Sequence, residues 1–112
     1  MPQIASRDDD GVRVFTLDNP PVNALSFAFS AMLLRSIRAA EEDDTVQAVV
    51  ITGSNGIFSG GADVNDFNAE ITPQTITIRD VIAAIEASAK TYVAAIEGTA
   101  LGGAFELALA CD

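Results

Sequence analysis

The chain has no histidine, no tryptophan, one cysteine, and only 6 basic residues against 16 acidic ones. Each shortage closes off some chemistry. Without histidine there can be no His-dependent catalytic triad and no His-bearing metal site. One cysteine cannot form an internal disulfide, and a lone thiol fits a reducing compartment. Cys111 lies in an apolar run, where a buried, inert thiol is the expected state rather than a nucleophile. A net charge of −10 argues against nucleic acid or an anionic membrane surface as the main partner. It leaves an anionic ligand open, because a few basic side chains or backbone N–H groups can act locally. No apolar stretch is long enough for a transmembrane helix, so membrane insertion is not expected. Residues 1–10 carry no basic segment followed by an apolar one, so no secretory signal is expected there.

What is present suits one folded domain. There are 112 residues, 49% of them apolar, enough for a real core. Residues 12–17 (Val-Arg-Val-Phe-Thr-Leu) read as a strand, stopped by Asp18-Asn-Pro-Pro21. Ser26 is placed to cap a helix running to about Ala40, with Met32, Leu33 and Ile37 at helical spacing. Glu41 to Asp44 then reads as a solvated acidic patch. Residues 46–52 form a nearly continuous apolar strand of the kind buried on both faces. A turn follows at Gly53–Gly56, a short helical turn is expected at Val64–Asn68, and Ile71–Pro73 is a linker. Residues 75–90 predict a helix with Ile78, Val81, Ile82, Ile85 and Ala89 on one side. Tyr92–Ile96 reads as another buried strand, and a helix is expected from about Gly103 to Asp112. The alternation of strands and helices predicts an α/β fold. That last helix would reach Asp112 without a glycine or proline stop, with apolar surface needing cover. The chain is therefore expected to be a fragment.

Two glycine-rich loops stand out, Phe58-Ser-Gly-Gly-Ala-Asp63 and Ala100-Leu-Gly-Gly103. Either loop alone needs nothing more than a tight turn. A dinucleotide site is not supported. Thr52-Gly-Ser-Asn-Gly56 is superficially like a short-chain dehydrogenase turn, but G-x-G-x-x-G and the P-loop pattern are both missing. Taken together, two such loops, each leaving a buried strand, can aim two backbone N–H groups at one oxygen. That is an oxyanion hole built from main chain. In the second loop the donor would also sit at a helix N-terminus. Glu106 follows Gly103 by three residues, nearly one helical turn, so it can share that residue's face. Its neighbours Phe105, Leu107, Ala108 and Leu109 are apolar. They are expected to take Glu106 out of water, as an acid–base group requires. Asp63 is expected to cap a turn rather than to catalyse.

Three segments carry a resemblance. Asp18-Asn-Pro-Pro-Val-Asn-Ala-Leu-Ser26, Gly56-Ile-Phe-Ser-Gly-Gly-Ala-Asp-Val64 and Ala100-Leu-Gly-Gly-Ala-Phe-Glu-Leu-Ala-Leu-Ala-Cys-Asp112 resemble the enoyl-CoA hydratase/isomerase (crotonase) family, in family order. The likeness covers residues 1–112 but only about the first half of a family domain. It is nearest to the N-terminal part of multifunctional fatty-acid β-oxidation enzymes. The resemblance implies a crotonase-like α/β spiral of ββα units, of which this chain holds the N-terminal portion, and trimers when free-standing. It implies oxyanion donors at the Ala62 and Gly103 N–H groups and a catalytic carboxylate at Glu106. It implies that Asn23, Ala24 and Leu25, with Gly60, Ala62 and Gly103, embrace the coenzyme A thioester. No metal or redox cofactor is implied for hydration; NAD would enter only with a downstream 3-hydroxyacyl-CoA dehydrogenase domain. The family often has a third glycine where Ala104 stands and an alanine where Gly60 stands. Neither change removes an N–H donor.

The resemblance thus implies syn hydration of a trans-2-enoyl-CoA, in a bacterial cytoplasm or an organelle matrix. The family's second catalytic glutamate would lie beyond Asp112. Isomerisation of a 3-enoyl-CoA to a 2-enoyl-CoA is the nearest alternative. A different class of outcome is a catalytically incomplete piece, or an interaction module.

Overall fold

The computed structural model describes residues 2–112. Strands β1 (Gln3–Asp9), β2 (Val12–Asp18), β3 (Ala48–Gly53) and β4 (Thr91–Ala95) form one sheet in that order. Helices α1 (Phe27–Glu42), α2 (Ile78–Ala87) and α3 (Gly103–Ala110) complete the fold, with a 3-10 turn at Val64–Asp66. β1 pairs antiparallel with β2, while β2, β3 and β4 are parallel. The parallel part is the α/β architecture expected, with α1 and α2 as the crossovers.

β1 was not foreseen. Its residues are mostly polar and, apart from Ile4, exposed, so they carry no core pattern. The signal lies in the turn instead. Asp10 and Gly11 both have positive φ (50° and 84°), the conformation of a two-residue hairpin.

One sheet face is covered by the helices. Phe15 and Leu17 of β2, Val49 and Ile51 of β3, and Tyr92 of β4 are buried against Phe29, Leu33 and Ile37 of α1, Val81 and Ile85 of α2, and Ala104 and Leu107 of α3. The register brings Val49 beside Tyr92, and Phe15 beside Ile51. Each fully buried large apolar side chain contributes about 1.5–3 kcal/mol. The opposite face is only partly covered. Val50 is intermediate and Val93 is exposed, so β3 and β4 are not buried on both faces as their composition suggested.

Several boundaries differ for identifiable reasons. Ser26 does cap α1, accepting from Phe29 N–H at 3.0 Å. The run Glu41–Asp44 is more than a solvated patch. The Glu41 carboxylate accepts from Ser88 Oγ at 2.7 Å and from the buried Tyr92 hydroxyl at 2.7 Å. Asp43 accepts from Arg13 at 2.9 Å, and Lys90 Nζ donates to the carbonyls of Ala40 and Asp43 at 2.6 and 2.7 Å. The C-terminal end of α1 is thereby tied to β2 and β4. α2 is shorter than expected. Asp80 reaches back to Thr77 N–H at 2.8 Å to fix its start, and it ends at Ala87, leaving Ala89 outside the helix and exposed. α3 ends at Ala110 rather than running to Asp112. Asp112 N–H donates to Tyr92 O at 2.7 Å, and Tyr92 N–H donates to Asp112 Oδ2 at 2.8 Å, so the chain leaves the helix to bond the edge of β4. Cys111 is half-buried beside Leu107 O, and burial pushes its thiol up to about 11, away from reactivity.

Candidate active site

The two glycine loops meet. Ser59 and Ala100 form an isolated parallel β-bridge, with Ser59 N–H on Thr99 O at 3.0 Å and Leu101 N–H on Ser59 O at 3.2 Å. Ala62 stands three residues past one bridge partner and Gly103 three residues past the other. The two N–H groups that the resemblance implies thus lie equally far along the chain from the bridge. Among the described residues, neither Ala62 N–H nor Gly103 N–H donates a hydrogen bond. Gly103 is the first residue of α3, where N–H groups have no partner within the helix. Contact between the loops requires glycine: a Cβ at Gly61 would lie 2.7 Å from Leu101 O. Gly102, which precedes α3, has φ 53°. The bridge also supplies a short second strand to the units β3–Ser59–α2 and β4–Ala100–α3, giving each the ββα order.

The Asn23–Leu25 segment lies against the first loop. Asn23 is buried, and its side chain is used internally. Nδ2 donates to Ile57 O at 3.0 Å and Phe58 O at 3.3 Å, while Oδ1 accepts from Asn19 N–H at 2.8 Å. Leu25 belongs to the core. Neither side chain is free to touch a ligand. Ala24, Gly60 and Ala62 do line a groove of about 500 Å³, together with Pro20, Val22 and Val64. Those three apolar walls were not foreseen. Their sequence signal is only their adjacency to Asn23-Ala24 and to Asp63.

Glu106 lies roughly 60° around α3 from Gly103 at 3.6 residues per turn. The structure leaves it exposed. Its apolar neighbours do not cover it, because in α3 only Ala104 and Leu107 are fully buried. Phe105 and Leu109 are 53% and 68% exposed. Asp63 does cap the 3-10 turn, accepting from Asn65 N–H at 2.9 Å. The Gly53–Gly56 turn closes on itself and on β2, through Ser54 N–H to Leu17 O at 2.9 Å and Ile57 N–H to Ser54 O at 3.3 Å. Among the described residues no cluster of carboxylates and thiols could hold a metal ion. Among the described residues no helix is long and apolar enough to cross a membrane.

Two main-chain N–H groups without acceptors thus lie in adjoining loops, that of Ala62 beside an open groove and that of Gly103 at the start of α3, three residues before Glu106. A family model described as enoyl-CoA hydratase/isomerase matches residues 7–112. A peroxisomal bifunctional enzyme of Danio rerio is 50% identical over 101 residues, covering 89% of this chain and 14% of that protein. A peroxisomal fatty acid beta-oxidation multifunctional protein of Arabidopsis thaliana is 42% identical over 110 residues, covering 92% of this chain and 15% of that protein. The chain thus spans about one-seventh of the length of these curated relatives. Among solved structures, an enoyl-CoA hydratase/isomerase family protein from Silicibacter pomeroyi superposes with a TM-score of 0.85 at 27% identity. That match covers 98% of this chain and 50% of the other.

Proposed function

Because the chain belongs to the enoyl-CoA hydratase/isomerase family and has its crotonase-like α/β fold, we propose that its two loops bind the thioester oxygen of an enoyl-CoA and that the reaction is hydration. Ala62 N–H and Gly103 N–H donate to that oxygen. As water oxygen adds to C3, the C2–C3 π electrons move toward the carbonyl and negative charge builds on the oxygen, where fixed donors stabilise it. Glu106 takes the proton from the attacking water. C2 then receives a proton, delivered by a second acid from elsewhere in a whole protein, and the product is the 3-hydroxyacyl-CoA. Ala24, Gly60 and Ala62 border the coenzyme A moiety along the groove. The observation that carries this reading is the Ser59–Ala100 bridge, with two unpaired N–H groups equally far along the chain from it.

The peroxisomal, bifunctional and multifunctional relatives support a wider reading. In it the segment belongs to a β-oxidation protein of an organelle, with a 3-hydroxyacyl-CoA dehydrogenase domain in the same polypeptide and NAD bound there. Isomerisation is a second reading, favoured by one observation. Asp63 is committed to Asn65 N–H, whereas Glu106 makes no hydrogen bond among the described residues. A proton shuttle between C4 and C2 of a 3-enoyl-CoA needs only one such carboxylate.

Acetoacetyl-CoA tests the hole directly, since its enolate absorbs in the near ultraviolet. The expected result is an enolate band on binding to the whole protein. Binding without that band would remove the oxyanion-hole assignment.

A further inference from the structure

Ser59 and Asn23 are polar, fully enclosed, and bonded to each other. Ser59 is 0% exposed and Asn23 is 2% exposed. Groups so buried are costly unless satisfied, and these two satisfy one another's loops. Ser59 Oγ donates to Asn23 O at 2.6 Å and accepts from Gly61 N–H at 3.1 Å. Asn23 has φ 53°, a conformation that asparagine tolerates better than most residues, and this turns its carbonyl toward Ser59. Its amide holds the carbonyls of Ile57 and Phe58 from the other side. Gly60 N–H donates to Val22 O at 2.8 Å, and Leu25 N–H donates to Gly61 O at 2.8 Å. From Ile57 to Gly61 the loop is therefore laced to residues 22–25. Ala62 N–H is the first donor past this lacing that is left free.

We infer that Ser59, anchored on the carbonyl of Asn23, is the positioning residue for the oxyanion donor at Ala62. Its hydroxyl takes up Gly61 N–H, so that Ala62 N–H is the first donor along this loop left for a ligand oxygen. The role rests on the thioester reading above. It differs from contact with substrate: neither side chain reaches the groove surface, and both act through the peptide planes at Gly61 and Ala62. Removing the hydroxyl strands two buried groups, Asn23 O and Gly61 N–H. The simplest repair rotates the Gly60–Gly61 peptide, which changes φ at Gly61 and so strains the next peptide, the one that carries Ala62 N–H and whose oxygen accepts from Leu25 N–H. Misplacing a catalytic group by about 1 Å can cost on the order of a hundredfold in rate.

The test uses the whole protein with two readouts. The first is amide hydrogen exchange without ligand. In the wild type Gly61 N–H should be protected and Ala62 N–H should exchange freely until acetoacetyl-CoA is added. Ser59→Ala should speed Gly61 exchange and shift both resonances, while the α1 amides stay unchanged. The second readout is the enolate band of bound acetoacetyl-CoA. Ser59→Ala should weaken it by roughly tenfold or more, with the dissociation constant for coenzyme A alone nearly unchanged. Ser59→Thr, which keeps the hydroxyl, should recover the band. A wild-type band that Ser59→Ala leaves intact overturns the positioning role alone. A wild type that binds acetoacetyl-CoA without the band overturns the thioester reading and this role together. If Ser59→Ala does not fold, wild-type exchange still decides: a free Gly61 N–H beside a protected Ala62 N–H, without ligand, overturns the inference.

Discussion

Gly61 faces the carbonyl oxygen of Leu101 so closely that a Cβ on Gly61 would lie 2.7 Å from it. The same residue has φ 94°, which a side chain would strain. Gly61→Ala must therefore spread the two loops as well as strain the backbone. We expect a stability loss of about 1–3 kcal/mol, read from the midpoint of urea unfolding. The enolate band of bound acetoacetyl-CoA should fall with it. Unchanged stability would mean that the loops do not approach each other this closely.

Glu106 is exposed on α3, so its removal should spare the fold. Exposed substitutions of this kind stay within about 0.5 kcal/mol. As the acid–base group it should matter far more to rate. Glu106→Gln in the whole protein should slow crotonyl-CoA hydration by roughly 10²–10⁴-fold, followed by loss of the conjugated thioester's absorbance. Near-normal turnover would exclude Glu106 from the mechanism.

Ser30 lies in α1 with a buried hydroxyl that has no hydrogen-bond partner among the described residues. An unsatisfied buried hydroxyl costs about 1–3 kcal/mol, and alanine is the better helix former. Ser30→Ala should be stabilising, by up to about 1 kcal/mol. The denaturation midpoint should rise at constant slope. A lower midpoint would show that the hydroxyl has a partner, such as a bound water.

Asp43 sets the expected acid limb of stability. The Thr45 hydroxyl and N–H, then the Arg13 guanidinium, hold its carboxyl down to about 2 from an ordinary 3.8. A folded-state value below the unfolded one favours the fold while the carboxyl is ionised. The contribution is complete above about pH 4 and fades as the pH falls toward 2. Asp43→Asn should flatten stability across that window without steepening it elsewhere. A wild-type acid limb that survives in the variant unchanged would assign it to other carboxylates.

Much of this protein was legible because the signals were local. Ser26 as a helix cap, Asp63 as a turn cap and Gly103 as a helix start each follow from a few consecutive residues. The errors came where a distant partner decided the outcome. Glu41 looked solvated, yet its carboxylate meets Tyr92 and Ser88 from another part of the chain. The Asn23 side chain carries no sign in the sequence of its partners, the carbonyls 34 and 35 residues away that its amide holds. α3 was expected to continue, yet Asp112 bonds the edge of β4 instead. β1 was missed because its strand character comes from pairing rather than from apolar alternation.

The sequence by itself determined the α/β plan, the two glycine loops and the family likeness, and that likeness pointed to the candidate donors at Ala62 and Gly103. Periodicity, capping and glycine placement act within a few residues, so they can be read without coordinates. Only the tertiary structure decided that Ser59 and Ala100 bridge the loops, that the Asn23 and Ser59 side chains are buried and bonded within them, and that Glu106 faces solvent. Those outcomes depend on hydrogen bonds and burial between segments far apart in the chain. Which of several polar groups is enclosed, and by what, is settled only when the segments pack.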